Sequence, residues 1–98
     1  MKFYYKISMN ILLNFLSISH DTNPIHQQIN AVIPGNLLVV LLEKNYQQHF
    51  NQVPTAIKIN FQQPAYLNDN LLFEISLTKF QITNSIEQLI AEGGWQFD

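Results

Sequence analysis

The six consecutive apolar residues Leu37-Leu38-Val39-Val40-Leu41-Leu42, preceded by Ile33-Pro34-Gly35 and followed by polar residues from Glu43, restrict the fold more than any other stretch. Pro34-Gly35 opens a helix here, and a helix that is apolar on every face has to be buried on every face. The rest of the chain must therefore enclose it.

The surrounding elements read mainly as strands. Residues 2 to 8 crowd aromatic and β-branched side chains between two lysines, which predicts an opening strand. From Met9 to Ile18 the apolar positions Ile11, Leu12, Phe15, Leu16 and Ile18 follow helical spacing, with Ser8 available as the N-cap. His20 to Asn30 is polar and contains Asn23-Pro24, so it is expected to be a loop bent at Thr22 to Pro24. Pro54 to Phe61, Leu71 to Phe80 and Ser85 to Ala91 read as three further strands, separated by Gln62-Gln63-Pro64, by Asn68-Asp69-Asn70 and by a tight turn at Thr83-Asn84. Gly93-Gly94 then precedes a last short run, Trp95-Gln96-Phe97. The expectation is an α+β chain folded as a single domain over residues 1–98, with an antiparallel sheet wrapped around a central buried helix.

Composition narrows the functional classes. A chain of 98 residues buries roughly 60 to 65% of its unfolded surface, enough for one core, and association would add to it. The five basic residues, Lys2, Lys6, Lys44, Lys58 and Lys79, are scattered over a chain of net charge −2, which gives no footprint for a nucleic acid backbone. Charged residues make up only 12%, and eleven Asn and ten Gln supply much of the polar surface, so charge repulsion between copies is weak and a homodimer or larger homo-oligomer is expected. Without cysteine there is neither a disulfide framework nor a thiolate nucleophile. The apolar run at Ile11-Leu12-Leu13 is interrupted by Asn10 and Asn14, with no small-residue cleavage site after it, and no segment reaches the ~20 apolar residues of a membrane span. A soluble, cytoplasmic protein is expected.

The chemistry concentrates in Ser19-His20-Asp21-Thr22-Asn23-Pro24-Ile25-His26, where a carboxylate and an imidazole are brought near one another across an Asn-Pro bend. Together they are acid/base equipment. Taken alone, Asp21 reads as a residue that bonds nearby amides in a turn, and His26 as a loop histidine on a backbone carbonyl. Two histidines and one aspartate, His20, Asp21 and His26, match no tight metal-ligand spacing, and no metal or other cofactor is expected.

Residues 19 to 26 resemble the SGDxNPIH signature of the MaoC-like (R)-specific enoyl hydratases and 3-hydroxyacyl thioester dehydratases. Ile59-Asn60-Phe61-Gln62-Gln63-Pro64-Ala65-Tyr66-Leu67-Asn68-Asp69 is similar to the family's sFxxPvyvGD segment, with Asn68 in place of the usual Gly, a swap that positive φ tolerates in Asn. The resemblance implies the hotdog fold, in which a sheet wraps one helix. It also implies a hydro-lyase acting on acyl-CoA or acyl-carrier-protein thioesters, with Asp21 and His26 catalytic and Gly35 presenting the oxyanion-binding N–H at the start of the buried helix. Asn23 and Asn36 are the accompanying substrate-binding candidates. The alternative reading of Gly35 is that it serves only close helix packing.

The chain departs from the family at three places. Pro34-Gly35 stands where the hydratases have His-Gly, and the stretch from His26 to Gly35 is about half the usual length. That spacing is similar to the carrier-protein dehydratases, whose helix carboxylate would fall at Val40. Lys58 and Asn60 stand where relatives often carry hydroxyl residues near the dyad. Two further readings of the same fold are an acyl thioesterase and a non-catalytic acyl-binding subunit.

Overall fold

A computed structural model describes residues 1–19 and 32–97. Strand β1 (Lys2–Lys6) leads into helix α1 (Met9–Ser19), and helix α2 (Gly35–Phe50) follows. Four more strands follow among the described residues: β2 (Ala56–Phe61), β3 (Asn70–Ile75), β4 (Lys79–Thr83) and β5 (Leu89–Gln96). They form one sheet in the order β1-β3-β4-β5-β2, with every neighbouring pair antiparallel. This is the sheet-around-helix, or hotdog, arrangement expected from the sequence.

The local chemistry of α1 is as anticipated. The Ser8 hydroxyl accepts the Ile11 N–H at 3.3 Å, and the Ser8 carbonyl accepts the Leu12 N–H at 3.0 Å, so the side chain caps an amide that has no partner within the helix. Leu12 and Leu16, one turn apart, are the positions α1 buries.

Period-two alternation sorts the strands into two faces. Phe73, Ile75, Phe80, Ile82, Ala91 and Trp95 are buried inward, joined from α2 by Leu37, Leu38, Leu42 and Tyr46 in one continuous core. Phe3 stacks on its cross-strand partner Phe73 with ring centroids 5.1 Å apart, which locks the register of β1 against β3. At the far end of α2, Tyr46 packs on Trp95 at 4.4 Å and on Phe50 at 4.8 Å, and its hydroxyl donates to the Leu77 carbonyl at 2.9 Å. Burial pushes the Tyr46 phenol pKa up, because the ionised form cannot be solvated there.

Four expectations need correction. Helix α2 is not buried all round: Val40 is 50% exposed, and Val39 and Leu41 are only partly covered, because the sheet wraps one side of the helix and among the described residues no layer covers the other. The stretch from Leu71 to Phe80 is two strands, since Ser76 donates its N–H to the Lys79 carbonyl at 2.8 Å and accepts the Lys79 N–H on its hydroxyl at 3.1 Å, closing a turn. The last strand begins at Leu89 rather than Ser85, because the Asn84 side chain accepts the Ile86 and Gln88 amides at 3.1 and 2.8 Å while Glu87 adopts φ 65°. Gly93-Gly94 lies inside β5 rather than ahead of it. A β-carbon on Gly93 would stand 1.8 Å from the Lys58 carbonyl oxygen, so this glycine marks a close approach between strands.

Among the described residues no helix is long and apolar enough to cross a membrane.

Candidate functional site

The entry to α2 is held by main-chain contacts. Ile33 donates its N–H to the Ala65 carbonyl at 2.7 Å, and Val32 bridges Tyr66 in antiparallel fashion, which fixes the segment running into Pro34. Gln62 and Gln63 both donate to the Ile90 carbonyl, at 2.7 and 3.3 Å, so the chain leaving β2 is tied to β5. Asp69 donates to the Tyr66 carbonyl at 3.2 Å, and Asn68 takes φ 63°, the left-handed conformation its side chain tolerates.

Between these two anchored segments lies a groove of about 510 Å³, with Val32, Leu38, Phe61, Pro64 and Ala65 among its walls and Gly35 at its edge. Its lining is mainly apolar, with the Gln62 and Gln63 segment as the polar exception. Gly35 is half-buried and Asn36 exposed.

The helix start itself is uncapped. Pro34, at φ −58° and ψ 136°, offers no side-chain acceptor, and its carbonyl takes the Leu37 N–H at 3.0 Å. Among the described residues, neither the Gly35 nor the Asn36 N–H meets an acceptor. Such amides, at the positive end of the helix dipole, are suited to an oxygen that carries or gains negative charge.

The sequence resemblance did not identify the neighbour of Gly35. Phe61, the last residue of β2, lays its ring edge against the glycine, with Cζ, Cε2 and Cε1 at 2.8, 3.2 and 3.4 Å from where a β-carbon would be. The signal available in the sequence was the aromatic residue ending a strand just before Gln62-Gln63-Pro64.

Of the other expected site residues, Asp21, Asn23 and His26 lie outside the described residues, as does His20. Val40, at the carboxylate position of the carrier-protein dehydratases, is half exposed and carries no acid/base group. Lys58 and Asn60 stand on the outer face of the sheet, paired in register with Gly94 and Glu92, while Ile57 and Ile59 pack inward. They point away from α2.

That outer face bears a polar row across the strands. Lys2 Nζ lies 3.6 Å from Glu74 Oε1, and Gln81 Nε2 donates to Glu74 Oε2 at 2.8 Å, with Glu92 and Asn60 continuing the row over a concavity of about 730 Å³. Although larger, this concavity offers the half-buried Glu74 carboxylate, already engaged by Lys2 and Gln81, and no helix terminus. Among the described residues no cluster of three or more His, Asp or Glu side chains could hold a metal ion.

No protein-family model matches the sequence, and no curated protein matches it. Solved structures do. An (R)-hydratase from A. caviae involved in PHA biosynthesis superposes with a TM-score of 0.81 at 14% identity, over 100% of this chain and 93% of that one. R-hydratase PhaJ1 from Pseudomonas aeruginosa gives 0.79 at 16% identity, over 100% of this chain and 80% of that one. The ChsH1-ChsH2 complex from Mycobacterium tuberculosis gives 0.65 at 11% identity, over 100% and 94%. The chain thus shares the hotdog fold of these (R)-hydratases.

Proposed function

We propose that this protein is a hydro-lyase that adds water to enoyl thioesters, or removes it from 3-hydroxyacyl thioesters, carried on CoA or acyl carrier protein. The observation that carries the reading is the uncapped start of α2 beside an apolar groove, in a fold shared with two (R)-hydratases. The Asp-Asn-Pro-His motif supplies the acid/base pair that such a site needs.

In the hydration direction the Asp21/His26 pair takes a proton from water as its oxygen bonds to C3. The electron pair of the C2–C3 double bond moves toward C1, and the thioester oxygen gains negative charge. The Gly35 N–H, with that of Asn36 beside it, stabilises this oxygen, and the helix dipole adds to the effect. Collapse of the enolate then takes a proton at C2 from the same dyad, so the hydroxyl and the hydrogen are added without any redox change. Asn23 is assigned to substrate binding near the dyad. Dehydration runs the same steps in reverse.

We also assign the active form to a homodimer or larger homo-oligomer. β1 and β2 are the two open edges of the sheet, and of the two β2 has only Lys58 as a charge, with Val40 exposed on α2; unprotected edges and apolar residues of this kind are relieved by pairing with a second copy.

The reaction is tested by incubating purified protein with trans-2-butenoyl-CoA in deuterium oxide and analysing the product by mass spectrometry. A 3-hydroxyacyl product with one deuterium at C2 is expected. Free thiol without hydration would instead mark a thioesterase, and an acyl-CoA that binds but is recovered unchanged would mark a binding subunit.

A further inference from the structure

We infer that Phe61 determines the size of the acyl group accepted beside Gly35, an inference that rests on the thioester reading of that site. Three consecutive ring-edge atoms of Phe61 fall within 2.8 to 3.4 Å of the position of a β-carbon on Gly35. The ring therefore fills the space directly against the helix start. A thioester oxygen at the usual hydrogen-bond distance of about 2.9 Å from the Gly35 nitrogen puts its carbonyl carbon only about 1 Å further away. An acyl chain that enters the apolar groove from that carbon runs past the Phe61 ring.

Phe61 is not a core residue. It is 49% exposed and, among the described residues, makes no ring–ring contact of the kind that ties Phe3, Phe80 and Trp95 into the interior. Its cross-strand partner is the small Ala91, and the next residue is held through its main chain by Ile90, so β2 is positioned without help from the ring. A half-exposed aromatic side chain on a fixed backbone, lining an apolar groove, is free to act on what enters the groove. Phe61 is one wall of the groove, so removing its ring opens space along the path of the acyl chain, and each added methylene that finds an apolar seat there changes selectivity by about tenfold or more.

The test measures binding of saturated butanoyl-, hexanoyl- and octanoyl-pantetheine thioesters, whose arm is common to both carriers, and turnover of the matching trans-2-enoyl thioesters. Wild type, Phe61→Ala and Phe61→Leu are compared, with melting curves to confirm that each is folded. The octanoyl-to-butanoyl preference is expected to rise at least about tenfold in Phe61→Ala, with Phe61→Leu in between. An unchanged preference in a folded variant would overturn the inference, whether affinity is uniformly lower or not. Wild-type turnover with an unshifted profile would overturn the role of Phe61 and leave the hydro-lyase intact. A shifted binding profile without turnover would support Phe61 and remove the hydro-lyase. Absence of binding to every thioester by wild type would overturn both.

Discussion

Gly35 and Phe61 share a single van der Waals volume: the ring Cζ lies 2.8 Å from where a β-carbon on the glycine would stand. The obstruction is the far end of a side chain, so the ring can yield. Gly35→Ala is therefore expected to fold with a modest loss of stability, while hydration falls because the methyl and the displaced ring crowd the oxyanion position. In a Phe61→Ala background the stability cost of Gly35→Ala should shrink, giving a coupling of roughly 0.5 to 3 kcal/mol in a double-mutant cycle from urea melts. Additive costs would show that the two residues do not meet.

Gly93 presents the opposite case. Its missing β-carbon would meet main chain, the Lys58 carbonyl oxygen at 1.8 Å, and neither strand can rotate away from the other. Gly93→Ala is expected to cost at least about 3 kcal/mol, the upper end for overpacking. Gly94→Ala, whose nearest obstacle is the Thr78 oxygen at 3.1 Å, should cost clearly less. Equal melting temperatures for the two variants would contradict this.

Tyr46 makes the fold sensitive to alkali. Its pKa is raised by burial above the ordinary value of 10.0, and the folded state keeps a proton that the unfolded state releases. This contribution to stability is fully present below pH 10.0 and is lost as pH rises through the folded value, where the unfolded chain binds fewer protons than the native one. Wild type should lose more melting temperature than Tyr46→Phe between pH 9 and pH 11, about the pKa of a free phenol. At neutral pH the variant should be weaker by about 1 kcal/mol, the worth of the hydrogen bond to Leu77.

Asn68, at φ 63°, sits where the resembled segment has glycine. Asn68→Gly is expected to be close to neutral. Asn68→Ala should cost about 1 kcal/mol, since alanine keeps the β-carbon but lacks the short polar side chain whose local hydrogen bonding lets Asn hold the left-handed conformation. Chemical denaturation of both variants reads the difference.

These particulars show what the sequence makes legible. Ser8 as a cap, the start of α2 at Pro34-Gly35, strand β2 and the left-handed Asn68 depend on local chemistry, and each is visible in a few adjacent residues. Ser76 closes its turn through a side chain that reads equally well as a strand or a turn residue, so the β3/β4 division is not visible locally, and the turn read at Thr83-Asn84 runs on to Gln88 because the Asn84 side chain accepts the Ile86 and Gln88 amides. Gly93 stands inside a strand, paired with Ile59 and Phe80, and has no room for a side chain because of a carbonyl thirty-five positions earlier in the chain, a contact that no local pattern encodes. The exposure of Val40 likewise depends on how far the sheet reaches around α2. At the candidate site, the position of Gly35 at the start of α2 is legible, whereas the ring of Phe61 against it is a meeting of distant segments. Asp21 and His26 rest on the motif.

The most direct measurement follows the loss of enoyl-thioester absorbance with trans-2-butenoyl-CoA for wild type, Asp21→Asn and His26→Ala in parallel. Loss of absorbance with wild type, reduced at least about a hundredfold in each variant as expected for removal of a general acid or base, is the predicted result. Equal rates in all three proteins, or no loss with wild type at any chain length, would contradict the account.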